Sequence, residues 1–329
     1  PAGTHFVIKA GLHRGFSVEP RAADVFSGEA GTILSGAKLL DSFTRTGGYW
    51  VASGQTQENP TFDYNVYGAE VCSDGSDGLV PVGPTCIYPE DLFIDDRLLV
   101  QVESLSAVGP GRWYFDYAAD RIYMHDDPRS VRVEASVEWD AFHGSSAHDV
   151  MLQDLVVEKY ANAGQHGALH FVGSDRVQIR NVEVRWTHGV GIRVAGGHGI
   201  RVTGNHSHHN GQLGIASYDN VDALFDDNEV AFNNTVGYSG FWESGGMKLM
   251  RGLRTTAQNN HVYRNNGKGI WLDLEGRDVL VASNTVDDNA QQGVFVEISH
   301  RALVRNNTVR RNGYQGAWFH RAGIVVSSS

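Results

Sequence analysis

Two carboxylates, Asp273 and Glu297, stand 24 residues apart in stretches that read alike, Gly269-Ile270-Trp271-Leu272-Asp273 and Gly293-Val294-Phe295-Val296-Glu297. Each acid comes four residues after a glycine and two after an aromatic. If that interval is one turn of a repeating structure, both acids lie on one face, on neighbouring strands about 4.8 Å apart. Stacked like charges cost free energy and raise one pKa unless something uses them. A carboxylic acid beside a carboxylate at such a separation suits retaining glycoside hydrolysis. One group attacks the anomeric carbon, and the other protonates the leaving oxygen and later deprotonates water.

The surrounding residue types suit a sugar. Trp271, Phe295 and Trp318 are expected to form an outward aromatic row whose rings stack on sugar faces. Lys248 and His320 fall in the same outward columns, with His320 one coil beyond Glu297. The irregular stretch Asn233–Gly246 contributes Trp242 and a third candidate catalytic carboxylate, Glu243. His188 completes the expected substrate contacts. A blander arrangement uses the same residues: the aromatics buried beneath an inserted module, and the acids paired with Lys248, Arg301 or Arg321. His206, His208 and His209 sit in an Asn-Gly turn region and read as turn residues, so no metal and no cofactor are expected.

The elements that would position these groups follow from a repeat. One asparagine column runs Asn181, Asn205, Asn228, Asn260, Asn284, Asn307, and a second Asn210, Asn233, Asn265, Asn289, Asn312. A glycine column runs Gly191, Gly214, Gly246, Gly269, Gly293, Gly316. The steps are 23 or 24 residues, except for one coil of 32 in each column. A period near 23 with short alternating strands predicts an all-β chain, a right-handed parallel β-helix with three strands per coil. One and three residues after each glycine the side chains are nearly all apolar and face the core, so the second and fourth face outward. The asparagines read as ladders of side-chain amides bonded from coil to coil. An insertion in a regular solenoid marks its functional face, which puts the Asn233–Gly246 stretch over the acids.

The repeat is lost between about Gly47 and Pro128, a stretch rich in aromatics and prolines. Three parts are expected: N-terminal coils over 1–46, a β-rich insertion over 47–128, and the main β-helix over 129–329. Cys72 and Cys86 flank a loop rich in Gly, Ser, Asp and Pro, and a disulfide between them is favoured over two free thiols. Such a bond implies an oxidising compartment, so a secreted or periplasmic location is expected. With 329 residues, 27 basic against 38 acidic side chains and no apolar run of about 18 residues, neither nucleic acid nor a membrane is an expected partner. Nothing here fixes the oligomeric state.

With these motifs in place the chain resembles the β-helical β-xylosidases among the glycoside hydrolases. Trp271-Leu272-Asp273 followed by Phe295-Val296-Glu297 is similar to that family's motif pair. More widely, the chain resembles bacterial secreted right-handed β-helix proteins, through Glu243-Ser244-Gly245-Gly246-Met247-Lys248 and the two strands that follow. The resemblance implies that Asp273 is the nucleophile and Glu297 the acid/base, acting on xylose- or arabinose-type oligo- or polysaccharide. Two other classes suit the fold. A polysaccharide lyase or epimerase would neutralise a uronate with Lys248, Lys268 or Arg193, or through calcium on Glu243 and Asp273. A non-catalytic carbohydrate-binding solenoid would bind without turnover.

Overall fold

A computed structural model describes residues 2–61, 71–82, 85–315 and 321–329. Three parallel sheets run along the molecule. Two have nine strands each, from His5–Ile8 to Leu303–Arg305 and from Gly11–Arg14 to Thr308–Arg310. The third has eight, in chain order from Phe142–Ser145 to Ile324–Ser327. This third sheet carries Lys248, Trp271, Asp273 and Glu297. Among the described residues no helix is long and apolar enough to cross a membrane.

The alternation behaves as the repeat predicts on its inner side. Ile192, Ile215, Met247, Ile270 and Val294 stack in one buried column, and Val194, Ser217, Leu249, Leu272 and Val296 in another. Each fully buried Ile, Leu or Val contributes roughly 1.5–3 kcal/mol. Both asparagine columns form ladders: Asn228 Nδ2 donates to Asn260 Oδ1 at 2.9 Å, and Asn260 to Asn284 Oδ1 at 2.9 Å. The glycine column exists because the ladder lies against it. A Cβ on Gly269 would sit 3.0 Å from Asn289 Nδ2 and 2.4 Å from the Gly293 carbonyl oxygen. Asn181 is the exception. Its amide bonds Asp154, and the neighbouring Val182 N–H takes the ladder bond to Asn205.

Asn260→Ala should therefore cost roughly 2–5 kcal/mol, because it leaves the buried Asn228 N–H and the Asn228 side-chain amide without their shared acceptor. Urea denaturation read by far-ultraviolet circular dichroism measures the loss. A change below about 1 kcal/mol would mean that the ladder is dispensable.

The chain leaves the solenoid after Ser35 and rejoins it at Phe142. Between these points lie a four-stranded sheet (Ala37–Leu40, Val133–Ser136, Leu92–Ile94, Arg97–Leu98) and a five-stranded one, both mainly antiparallel. The inserted module thus takes in strands on both sides of the 47–128 span. It has its own apolar core, including Leu92, Trp113, Ile122 and Val133.

Cys72 and Cys86 are joined by a disulfide, and residues 71–82 reach back to the irregular coil. Ser73 N–H donates to Gly237 O at 2.8 Å, Ser239 N–H to Val71 O at 2.8 Å, and Gly240 N–H to Asp77 Oδ2 at 2.6 Å. Opening the bond removes a cross-link spanning 14 residues and should cost about 3 kcal/mol. Because the tethered coil carries Trp242 and Glu243, two of the candidate site residues, the glycosidase activity expected from the sequence should fall further than the loss of folded protein explains. Thermal melts and initial rates across a dithiothreitol series check this. Unchanged rates with both thiols titratable would show that the segment is not needed.

Candidate active site

Lys248, on the strand Gly245–Met250, is the centre of the polar cluster. Its Nζ lies 3.1 Å from Glu243 Oε1, 3.0 Å from Asp273 Oδ2 and 3.7 Å from the centre of the Trp271 ring. Glu243, Lys248 and Asp273 are all nearly inaccessible, with 5%, 3% and 6% exposure, so this is an ion triad with little water to screen it. The Trp271–Phe295 and Leu272–Val296 pairing, continued by one residue, places Asp273 beside Glu297 on the next strand.

The two acids have different surroundings. Asp273 accepts from the Leu274 N–H at 2.7 Å and has the Lys248 ammonium against its other oxygen. Glu297 accepts from the Trp271 indole N–H at 3.1 Å. Partial burial, and next the nearby Asp273 charge, push the Glu297 carboxyl above its ordinary value. The pair is thus unequal: Asp273 lies against an ammonium, and Glu297 is inclined to keep its proton.

The outward columns need correcting. Trp271 and Phe295 do point away from the core and stack on each other, 5.7 Å between centres, but both are buried, at 3% and 1% exposure. They form no solvent-facing sugar platform. Lys268 Nζ lies 4.1 Å from the Trp271 ring centre and 5.7 Å from that of Phe295, and donates to the Gly240 carbonyl and Gln291 Oε1. Burial and the neighbouring Lys248 charge pull Lys268 down to about 7. Trp271 is not the exposed sugar contact that the outward column predicts; its indole N–H is directed at Glu297.

The last coil is also offset. Val294, Phe295, Val296 and Glu297 pair with Ile324, Val325, Val326 and Ser327, so Gly323 and not Gly316 precedes the final strand. A second long coil, after Asn312, causes the shift. Ser327 therefore takes the position expected for His320, and Val325 that expected for Trp318. Trp318 and His320 lie outside the described residues. His188 does not face the acids either. It is buried, with Nε2 2.8 Å from the Cys86 carbonyl oxygen and Nδ1 3.2 Å from Asp91 Oδ1. Burial disfavours its charged form, but the Asp91 carboxylate outweighs this and holds it above its ordinary value. It joins the inserted module to the solenoid.

A cleft of about 340 Å³ opens over the triad. Trp242, Glu243, Lys248 and Asp273 line it, with Gln165, Arg193 and Tyr218 on the remaining wall. Arg193 and Tyr218 follow from the outward columns, whereas nothing in the repeat marks Gln165, which lies in a turn. A larger hollow of about 710 Å³, lined by Phe6, Ile8, Phe16 and Phe26, is the open N-terminal end of the core and not a polar site.

Residues 167–329 match the sequence family described as the right handed beta helix region. The XylC complex with xylose superposes with a TM-score of 0.69 at 14% identity, covering 95% of this chain and 62% of that one. A glycoside hydrolase gives 0.61 at 10% identity, covering 92% and 80%. The A-module of the Azotobacter vinelandii mannuronan C-5 epimerase AlgE4 gives 0.55 at 12%, covering 98% and 65%. The chain is a right-handed parallel β-helix. It spans about two thirds or less of XylC and of the AlgE4 module. No curated protein matches it by sequence. At these identities the likeness concerns the β-helix itself, and chemistry must be argued from the side chains on its third sheet.

Proposed function

We propose that this protein is a retaining glycoside hydrolase, with Asp273 as nucleophile and Glu297 as general acid and base. The observation that carries this reading is the unequal environment of two adjacent acids: Lys248 beside Asp273, and a raised carboxyl at Glu297. In the first step Asp273 attacks the anomeric carbon while Glu297 gives its proton to the departing oxygen. In the second, Glu297 takes a proton from water, which attacks the same carbon and releases Asp273. Two inversions give net retention. Lys248 holds the Asp273 carboxyl in place, Glu243 holds Lys248 from its other side, and Trp242 offers a ring at the cleft wall.

The lyase and epimerase reading is weaker on these side chains. Lys268 is buried and spent on Gly240 and Gln291, and the space between Glu243 and Asp273 that a calcium ion would take holds the Lys248 ammonium. The xylose of the XylC complex makes xylosides and arabinosides the first substrates to try, and the disulfide supports an extracytoplasmic site of action. Hydrolysis of a panel of such glycosides, followed by proton NMR, tests the reading. The first product seen should keep the anomeric configuration of the substrate. An inverted product, or an unsaturated uronate absorbing in the ultraviolet, would overturn it.

A further inference from the structure

A second cluster lies on the same outward face, at the other end of the third sheet. Asp140 and His166 stand in the turns just before the strands Phe142–Ser145 and Gly167–Val172, and His143 projects from the first of these strands. His143 Nδ1 lies 3.0 Å and His166 Nε2 2.9 Å from one and the same oxygen, Asp140 Oδ2. The three donor atoms all lie within 4.8 Å of one another. Five strand steps separate this cluster from Asp273, about 24 Å, so it takes no part in the chemistry proposed there.

We propose that Asp140, His143 and His166 form a binding site for a divalent first-row transition metal. Two imidazoles and one carboxylate on one side of an ion, with the opposite side open, make a recurrent ligand set for such cations. Metal–ligand bonds of about 2.0–2.2 Å meeting near right angles put neighbouring ligand atoms about 3 Å apart, as the two nitrogens are from Asp140 Oδ2. The rings are held in place before any ion arrives. His166 stacks on His170 at 3.8 Å and packs against Trp139 at 4.8 Å, and His143 lies parallel to His170 at 5.3 Å. Exposure is graded as an ion needs: the Asp140 side chain is 5% exposed, His166 15% and His143 39%, which leaves an approach on the His143 side. Ser17 Oγ, 3.4 Å from Asp140 Oδ1, orients the carboxylate from behind. The bound ion would tie two successive coils together and keep water on its open side.

The histidines singled out by their sequence clustering are arranged differently. His208 has Nδ1 2.7 Å from His209 Nδ1 and Nε2 3.2 Å from Glu183, while His206 stacks on His208 and reaches Glu229 at 3.6 Å. Among the described residues, Asp140, His143 and His166 are the one set of three whose donor atoms converge.

The test uses the full chain, stripped with a chelator and dialysed. Titration with zinc chloride by calorimetry should show one site per chain. Cobalt(II) should give visible d–d absorption that zinc bleaches. His143→Ala and Asp140→Asn should each weaken zinc by more than about 100-fold, since loss of an outer-shell partner alone costs roughly 10- to 100-fold. His206→Ala should leave zinc affinity unchanged. The cobalt spectrum of the unsubstituted protein decides the matter even if a variant fails to fold. No cobalt band and no zinc heat would overturn the proposal and leave a hydrogen-bonded network. Zinc binding unaltered in folded His143→Ala, or lost in folded His206→Ala, would equally overturn it.

Discussion

Turnover of Asp273→Ala should fall by about four orders of magnitude, about 5 kcal/mol of lost transition-state stabilisation. Without the carboxylate no glycosyl-enzyme forms. Sodium azide should restore part of the rate, because the anion fits the emptied space beside Lys248 and attacks the same carbon, and the glycosyl azide should have the inverted configuration. The Lys248 ammonium loses one of its two anionic partners in this variant, so some loss of stability is expected as well. Azide rescue separates the chemical defect from misfolding, since unfolded protein is not rescued. Full activity in Asp273→Ala would remove this residue from the mechanism.

Glu297→Ala should show a different defect. Substrates with poor leaving groups should slow by about 10²–10⁴-fold, and those with activated aryl leaving groups far less, because the latter depart without a proton. Azide should then give a product of retained configuration. The pH profile carries a second signature. In the proposed mechanism Glu297 acts first as an acid, so activity should be present below its pKa and lost as pH rises through it. Its raised value places this alkaline limb above that of an ordinary glutamate. The Trp271 N–H stabilises the charged form of Glu297 and so works against that rise. Trp271→Phe should therefore move the alkaline limb to still higher pH while leaving azide chemistry intact. A limb that moves down, or stays in place, would mean that another group sets it.

How much of this was legible follows from which forces repeat. The coils show in the chain because every turn solves the same problem: the amides of Asn205, Asn228 and Asn260 need a partner one coil away, and Gly246 and Gly269 must stay small beside the ladder. The register of Asp273 and Glu297 follows from the same columns. Exposure did not follow, because alternation tells only which side of a sheet a residue takes. Trp271 and Phe295 leave the core side and are still buried, with the Lys268 ammonium over both rings and held there by the Gly240 carbonyl and Gln291, contacts that do not repeat from coil to coil. The last coil misled for a related reason. Gly316 keeps the period and precedes an alternating run, while the strand that pairs with Val294–Glu297 follows Gly323. Asp140, His143 and His166 carry no mark in the chain, since two of them stand in turns and meet only when adjacent coils stack.

The central claim is that Asp273 becomes covalently glycosylated. Incubation with 2-deoxy-2-fluoro glycosides bearing a good leaving group slows the second step more than the first and lets the intermediate accumulate. Intact mass spectrometry should show one added fluorosugar per chain, and peptide fragmentation should place it on Asp273. An adduct on Glu243 or Glu297, or steady hydrolysis of these reagents with inversion and no adduct, would contradict the assignment.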